Sequence, residues 1–215
     1  MSSTIDFETT GAVLAGDLVL VDGARGVVLF AHGSGSSRHS PRNKQVAAGL
    51  NDAGLATLLI DLLTASEEEA DVRTGQLRFD VPLLASRLTA AVDWLAAQPT
   101  TASLPVGLFG ASTGAAAALV TAAARPDTVA AVVSRGGRPD LAGPALSEVP
   151  QPTLLIVGGD DPEVLDLNRG VQDRLAGPNR LEVVPGATHL FEEPGALEQV
   201  AALARAWFAT RLLHD

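Results

Sequence analysis

The sequence predicts an α/β protein with a mostly parallel central sheet and helices on both faces. Short apolar runs alternate along the chain with longer amphipathic stretches, the pattern of repeated strand–helix units. The runs are almost continuously apolar, as expected of strands that are covered on both faces. With 215 residues, 47% of them hydrophobic, the chain can bury a full core, and we expect a single domain over residues 1–215.

The predicted strands are short and rich in β-branched residues or leucine. They cover residues 27–31, 56–60, 106–109, 129–134, 153–157 and 181–184. Before them, the segment AVLAGDLVLV and the following Asp22-Gly23 predict an additional hairpin. Because parallel strands end at one edge of the sheet, side chains that follow these strands are expected to meet there.

Helical periodicity fills the intervals between the strands. The predicted helices are 43–53, 76–97, 113–124, 163–175 and 194–213. The acidic run Glu67-Glu68-Glu69 predicts a solvated loop or the start of a helix. About seventeen residues separate the strand that ends near Ser134 from the next one. A cap domain needs more room, so we expect no cap and an open cleft.

Charge and hydropathy exclude several classes of partner. The formal net charge of −10 and the pI of about 4.7 oppose a phosphate-neutralising surface, so no nucleic-acid partner is expected. No apolar stretch is long enough to span a bilayer, and the N-terminus MSSTIDFETT lacks the basic start and apolar run of a secretory signal. We therefore expect a cytoplasmic protein without a membrane partner.

The absence of certain residue types excludes several kinds of catalytic and metal site. The chain has no cysteine, which excludes disulfides, thiolate metal sites and a cysteine nucleophile. It has no tyrosine and a single lysine, Lys44, and no phosphate-binding P-loop motif. Among side chains that titrate near neutral pH, the histidines remain as candidate bases: His32, His39, His189 and His214.

A serine framed by glycines stands where an apolar run meets an alanine-rich one, in VGLFGASTGAAAALV. The G-x-S-x-G motif centred on Ser112 follows a predicted strand and opens a predicted helix, the strand–turn–helix setting of a nucleophilic serine. Glycines two residues to either side let neighbouring backbone approach the turn closely. The alternative is that Ser112 is an ordinary helix N-cap.

A serine nucleophile needs a base, and the base needs an orienting carboxylate. Asp160 and Asp161 follow the strand in TLLIVGGDD, and His189 lies in a loop after the final strand. The order serine, aspartate, histidine is a known arrangement of this triad. Asp161 precedes Pro162, a combination that is also typical of a helix N-cap. A single histidine in a loop is often an exposed residue without a catalytic role.

An oxyanion hole would complete the site. One donor is expected to be the backbone amide of Thr113, which follows the serine. The glycine-rich turn after the first parallel strand offers the second, and we assign it to Ser34, with Gly33 as the neighbouring candidate. A nucleotide phosphate loop is the competing interpretation, but GSGSSR lacks the third glycine of that motif.

These motifs together resemble the α/β-hydrolase superfamily. The segments that carry the resemblance are AHGSGSSRHSPRN, GASTG, SRGGRPDL, VGGDD and GATHLFEEPG. More narrowly, the chain is similar to compact members of the dienelactone hydrolase family over residues 5 to 213. The resemblance implies Ser112 as nucleophile, His189 as base and Asp161 as acid. It differs from true dienelactone hydrolases in carrying serine in place of cysteine, which points to general ester chemistry.

The function expected from the sequence is hydrolysis of small esters or lactones through an acyl-enzyme, with no metal or organic cofactor. Acyl transfer or perhydrolysis by the same triad, and a non-catalytic binding domain of the same fold, are the alternatives. Arg135 and Arg138 follow a strand on the catalytic edge. They are candidates to bind an anionic group of the substrate, or else to form structural salt bridges. The sequence leaves a homodimer open.

Overall fold

A computed structural model describes residues 1–9 and 11–213. In this part of the chain one eight-stranded sheet has the order β1-β2-β4-β3-β5-β6-β7-β8. Strands β3 to β8 are parallel, and β1 and β2 add an antiparallel edge. The strands are β1 Ser2–Thr9, β2 Ala12–Val19, β3 Val27–Ala31, β4 Ala56–Ile60, β5 Val106–Ala111, β6 Val129–Arg135, β7 Thr153–Gly158 and β8 Asn179–Val184.

Helices cover both faces of the sheet. They are α1 Pro41–Asp52, α2 Ala65–Thr74, α3 Val81–Ala97, α4 Thr113–Ala124, α5 Pro162–Val171 and α6 Ala196–Leu212. Helices α3 and α4 pack together on one face, and α1 and α6 on the other. The predicted fold class, a mostly parallel α/β sheet between helices, is confirmed.

Successive side chains of a strand point to opposite faces of the sheet, and apolar residues on both faces form a core on each side. In β3, Leu29 joins the core under α3 and α4, whereas the next residue, Phe30, joins the core under α1 and α6. Both side chains are almost completely buried, and burying one such side chain contributes about 1.5–3 kcal/mol. The continuous apolar runs in the sequence therefore reflect burial on two faces.

The N-terminal hairpin differs from the expectation. Residues 12–19 form one strand, and its partner is β1, so the turn lies between Thr9 and Ala12 and not at Asp22-Gly23. The prediction placed the turn wrongly because it passed over the alternation in STIDFET. Phe7 of that segment is buried against the sheet while its neighbours are not, which is the pattern of a half-buried edge strand.

The segment before α3 also differs. Residues 65–74 form a separate helix, and α3 begins at Val81 and not at residue 76. Asp80 ends the intervening turn, because its carboxylate accepts the Leu83 N–H at 3.0 Å and caps α3. Of the two interpretations of the acidic run, the start of a helix is correct. Thr64 and Glu67 form a reciprocal capping box at the start of α2.

The connection from β6 to β7 carries no cap domain. Its only regular structure is a pair of 3₁₀ turns within Pro139–Glu148, as the short spacing predicts. None of the helices within residues 1–9 and 11–213 is long and apolar enough to cross a membrane.

Candidate active site

Ser112 occupies a strained turn between β5 and α4. Its backbone has φ +50° and ψ −122°, a region that costs a non-glycine residue about 1–3 kcal/mol. Its N–H donates to the Arg135 carbonyl at 3.2 Å, and its carbonyl accepts the N–H groups of Ala115 and Arg138. The side chain makes no capping hydrogen bond, so the N-cap alternative does not describe this residue.

The two glycines of the motif are required by close backbone packing. A Cβ atom on Gly110 would overlap the Cα of Ala115, and one on Gly114 would overlap the carbonyl oxygens of Ala31 and His32. Helix α4 therefore begins directly against the ends of β5 and β3. Any side chain at either glycine would push this turn away from the sheet.

His189 and Asp161 form the second part of the site. The Nδ1 atom of His189 lies 2.7 Å from Oδ2 of Asp161, and the Asp161 side chain is only 14% exposed. Asp161 makes no side-chain cap on α5. The neighbouring Asp160 is exposed and donates only its backbone N–H, to Ala187. Of the two aspartates, the structure thus brings Asp161 to the histidine.

The loop that carries His189 is held on both sides. Gly158, at the end of β7, leaves no room for a Cβ beneath the carbonyls of Ala187 and Thr188, so the loop crosses directly over the strand that precedes Asp161. Two residues after the histidine, Phe191 is 1% exposed and has φ +56°. Burial of this ring keeps the strained backbone in place.

Ser112 and His189 adjoin the same end of β6. The amide of Ser112 bonds the Arg135 carbonyl, and a Cβ on the next residue, Gly136, would lie 3.6 Å from Cε1 of His189. The structure therefore places the backbone of Ser112 and the imidazole of His189 at the same end of β6, with Asp161 hydrogen-bonded to that imidazole.

The expected oxyanion-hole residues lie beside Ser112, but their amides are not equivalent. A Cβ on Gly33 would lie 3.0 Å from the Cβ of Ser112. The Ser34 N–H donates to the Thr113 hydroxyl at 3.0 Å. Among the described residues, no group accepts the backbone N–H of Gly33 or Thr113. Of the two candidates, the Ser34 amide has an acceptor and the Gly33 amide has none, which favours Gly33 as the second donor.

His32 is a residue of the site that sequence reasoning set aside. Its Nδ1 donates to the Gly33 carbonyl at 2.9 Å, and its Nε2 accepts the Leu62 N–H at 3.0 Å. Burial lowers the pKa of His32, so the ring is neutral at pH 7 and uses both nitrogens to hold the turn. The sequence feature that could have indicated this role is the position of His32 directly between a buried strand and Gly33.

The rest of the glycine-rich turn is fastened to the edge of the sheet. The Arg38 N–H donates to Asp61 at 2.8 Å, and the Arg38 guanidinium also binds that carboxylate. Asp61 follows β4, so this ion pair joins residues 33–39 to the neighbouring strand end. His39 lies near Asp17 of β2 and takes no part in the arrangement around Ser112. His214 lies outside the described residues.

A cleft of about 510 Å³ opens beside this turn. Its polar lining includes Ser34, Ser37 and Thr113, and its apolar lining, called the apolar wall below, includes Leu62, Leu63, Val72 and Leu84. Arg42 and Arg78 also line it, but each is paired with a carboxylate, Glu192 at 3.0 Å and Asp71 at 2.6 Å. The cleft thus combines an apolar wall with hydroxyls and charge-neutralised arginines.

Arg135 is not among the residues that line the cleft. It is 7% exposed, its Nη2 lies 3.4 Å from Asn43 Oδ1, and its guanidinium lies 5.8 Å from the Phe191 ring centre. Burial, followed by the nearby Arg42 charge, lowers the pKa of Arg135 to about 10. The side chain lies between the sheet and α1 and pairs with no carboxylate of the described residues, so its contacts are structural ones other than the expected salt bridge.

Arg138 likewise has a structural partner. Its guanidinium makes two hydrogen bonds to the Asp140 carboxylate, at 2.9 and 2.8 Å. This pairing raises the pKa of Arg138. Arg138 does not line the cleft either, and the expectation of a substrate-binding pair of arginines receives no support from this arrangement.

Comparison with known proteins agrees with this architecture. The model of the dienelactone hydrolase family matches residues 15–213. The chain belongs to the dienelactone hydrolase family. A dienelactone hydrolase from Anabaena variabilis of known crystal structure is 59% identical, with a TM-score of 0.96 over 99% of this chain and 98% of that one. The family and fold support a hydrolase.

Other similar proteins are more distant in sequence or much longer. Est1E from Butyrivibrio proteoclasticus shares the fold, with a TM-score of 0.83 over 99% of this chain and all of that one, at 14% identity. A Mycobacterium tuberculosis protein named "Putative phosphoribosyl transferase" is 61% identical over 93% of this chain. The chain spans only 44% of that relative's length.

Proposed function

We propose that this member of the dienelactone hydrolase family is a serine hydrolase of small carboxylic esters or lactones. The observation that carries the proposal is the hydrogen-bonded pair His189–Asp161 beside the strained Ser112. A histidine oriented by a carboxylate, close to a serine on a tight strand-to-helix turn, is the arrangement that activates a serine hydroxyl. The transferase name belongs to relatives more than twice as long and is not carried over.

The proposed reaction proceeds through an acyl-enzyme. Since Asp161 occupies Nδ1 of His189, Nε2 is the nitrogen that takes the proton of Ser112 as its oxygen attacks the ester carbonyl. The alcohol then leaves with that proton. Water, deprotonated by His189, releases the acid and regenerates the serine. The negative carbonyl oxygen of each tetrahedral intermediate is stabilised by the amides of Thr113 and Gly33.

The cleft supports small, uncharged substrates. Its arginines are neutralised by Glu192 and Asp71, so they offer little net charge to an anionic group. Its apolar wall consists of a few side chains and is not covered by a cap domain. An acyl chain longer than this wall would stay in water and gain little of the ~0.8 kcal/mol per methylene that full burial provides. We therefore propose acetyl to butyryl esters as the preferred size.

The proposal is tested with the Ser112→Ala variant and a fluorophosphonate probe. We expect wild type to be labelled at Ser112 and the variant to lose at least about 10⁴-fold in kcat on p-nitrophenyl acetate. Ser86→Ala, an exposed serine on α3, is the matched control and keeps full activity. A wild-type protein that is neither labelled nor active would support the alternative of a non-catalytic domain. Ester cleavage with transfer to an added alcohol faster than to water would support an acyltransferase.

A further inference from the structure

The Thr113 hydroxyl has a hydrogen-bonding capacity that the fold leaves unused. A threonine hydroxyl offers one proton and two acceptor positions. The Ser34 N–H takes one acceptor position at 3.0 Å. In residues 1–9 and 11–213 no group accepts the hydroxyl proton. Thr113 is 3% exposed and lines the cleft. A threonine in this state is ready to donate.

The position of Thr113 determines what can receive that proton. The residue directly follows Ser112 and lines the cleft together with Gly33 and Ser34. Because the Ser34 amide already approaches the hydroxyl oxygen, the proton must point away from Ser34. Thr113 lines the cleft, and two further donors next to Ser112, the backbone N–H groups of Thr113 and Gly33, have no acceptor among the described residues.

We propose that the Thr113 hydroxyl is a third hydrogen-bond donor to the oxyanion, with Ser34 fixing its direction. This inference rests on the proposed serine-hydrolase function and deepens it. When the Ser112 oxygen bonds to the carbonyl carbon, the π electron pair moves to the carbonyl oxygen and the serine proton moves to His189. The hydroxyl then donates to the new negative oxygen while still accepting from the Ser34 N–H. Accepting one bond strengthens the hydroxyl as a donor.

This arrangement gives Ser34 a role different from the one expected from the sequence. Its amide acts on the oxyanion through Thr113 and not by direct contact, which makes it a positioning group. The hydroxyl proton, in contrast, touches the reacting oxygen. Losing one donor of an oxyanion hole lowers kcat by about 10²–10³-fold, and the effect is concentrated in the transition state.

The test compares Thr113→Val, which keeps the shape but removes the hydroxyl, with Thr113→Ser, which retains it. On p-nitrophenyl acetate we expect Thr113→Val to acylate about 100-fold more slowly with KM changed less than about threefold, and Thr113→Ser to stay within about fivefold of wild type. The Ser112 hydroxyl adds to the carbonyl of trifluoroacetone and gives a stable hemiketal oxyanion. This inhibitor should bind the valine variant about 100-fold more weakly than wild type.

Thr121→Val is the matched control for a buried threonine on the same helix. The Thr121 hydroxyl donates to the Ala85 carbonyl at 3.2 Å and lies outside the cleft lining, so this variant keeps its kcat and its affinity for trifluoroacetone. Wild-type acylation in Thr113→Val, or equal losses in the valine and serine variants, would overturn the proposal while the serine-hydrolase function stands. If wild type is not labelled at Ser112 by the fluorophosphonate, both proposals fail together.

Discussion

The imidazole of His189 and the carboxylate of Asp161 are joined by a 2.7 Å hydrogen bond, although 28 residues separate them in the chain. They follow neighbouring parallel strands, β8 and β7, and the close crossing over Gly158 brings their loops together. The carboxylate is largely buried and the ring is half-buried. The bond therefore orients the imidazole in surroundings that are only partly screened by water.

Asp161→Asn should lower kcat on p-nitrophenyl acetate by about 10⁴-fold. An asparagine amide in this position holds the imidazole in the wrong tautomer, so the nitrogen facing the serine carries a proton and cannot accept another. Asp160→Asn is the matched control, because its exposed side chain lies one residue away. We expect it to retain most of the activity. If the Asp160 variant were the inactive one, the assignment of Asp161 as the acid of the triad would be wrong.

Gly114→Ala should abolish ester hydrolysis and lower the thermal midpoint. The added methyl group would overlap the carbonyl oxygens of Ala31 and His32, which forces α4 and the glycine-rich turn apart. Gly170→Ala in α5 is the control, since a Cβ there meets nothing within 4 Å. Replacing a glycine by alanine inside a helix raises the free energy of unfolding by about 0.5–1 kcal/mol. Equal activities of the two variants would contradict the close-packing argument.

Glu67→Gln should lower the free energy of unfolding by about 3 kcal/mol at pH 7. Glu67 binds the Arg87 guanidinium at 2.5 and 2.8 Å, and Arg87 is only 4% exposed. Removing the carboxylate charge leaves a buried cation without its counter-ion. Glu69→Gln, an exposed change on the same helix, should alter the unfolding free energy by less than about 0.5 kcal/mol. Urea unfolding followed by circular dichroism measures both.

The Glu67 effect also has a defined pH dependence. The hydrogen bond from Arg87, foremost among several causes, lowers the pKa of Glu67 from 4.5 to about 2. The unfolded chain therefore binds a proton at higher pH than the folded one, and the stabilisation is complete above about pH 5 and is lost as the pH falls toward 2. The difference between wild type and Glu67→Gln should shrink over that range. A difference that grew on acidification would contradict the assigned pairing.

Arg135→Met should leave the ratio of kcat/KM for charged and neutral esters unchanged within about twofold. The guanidinium lies between Asn43 and Phe191, away from the cleft, so it cannot distinguish the two substrates. The measurement uses an acetate ester with and without a distal carboxylate. A loss confined to the carboxylate-bearing ester would establish Arg135 as a substrate-binding residue.

Local signals in the sequence were sufficient for the order of the parallel strands and for proposing Ser112 and His189, whereas Asp161 was chosen over Asp160 from the family resemblance. Continuous apolar runs identify strands buried on both faces, and each of the three residues stands just after such a run or at the loop that follows it. In a parallel sheet all these positions reach one edge, so chain order alone predicts their meeting. The errors came where local preference competes with a neighbour: Asp80 capping α3, and β1 pairing with β2.

Only the tertiary structure decided which hydrogen-bond partner each candidate side chain or amide has. The sequence favoured Ser34 over Gly33 as the second oxyanion donor, yet the Thr113 hydroxyl, 79 residues away, accepts the Ser34 N–H. Arg135 ends a strand on the catalytic edge, but the alternation of β6 turns its side chain under α1. His32 was passed over because its neutral state comes from burial and its role from Leu62, 30 residues away. Residue type and spacing carry no information on such contacts, because they depend on which face each strand presents to its neighbours.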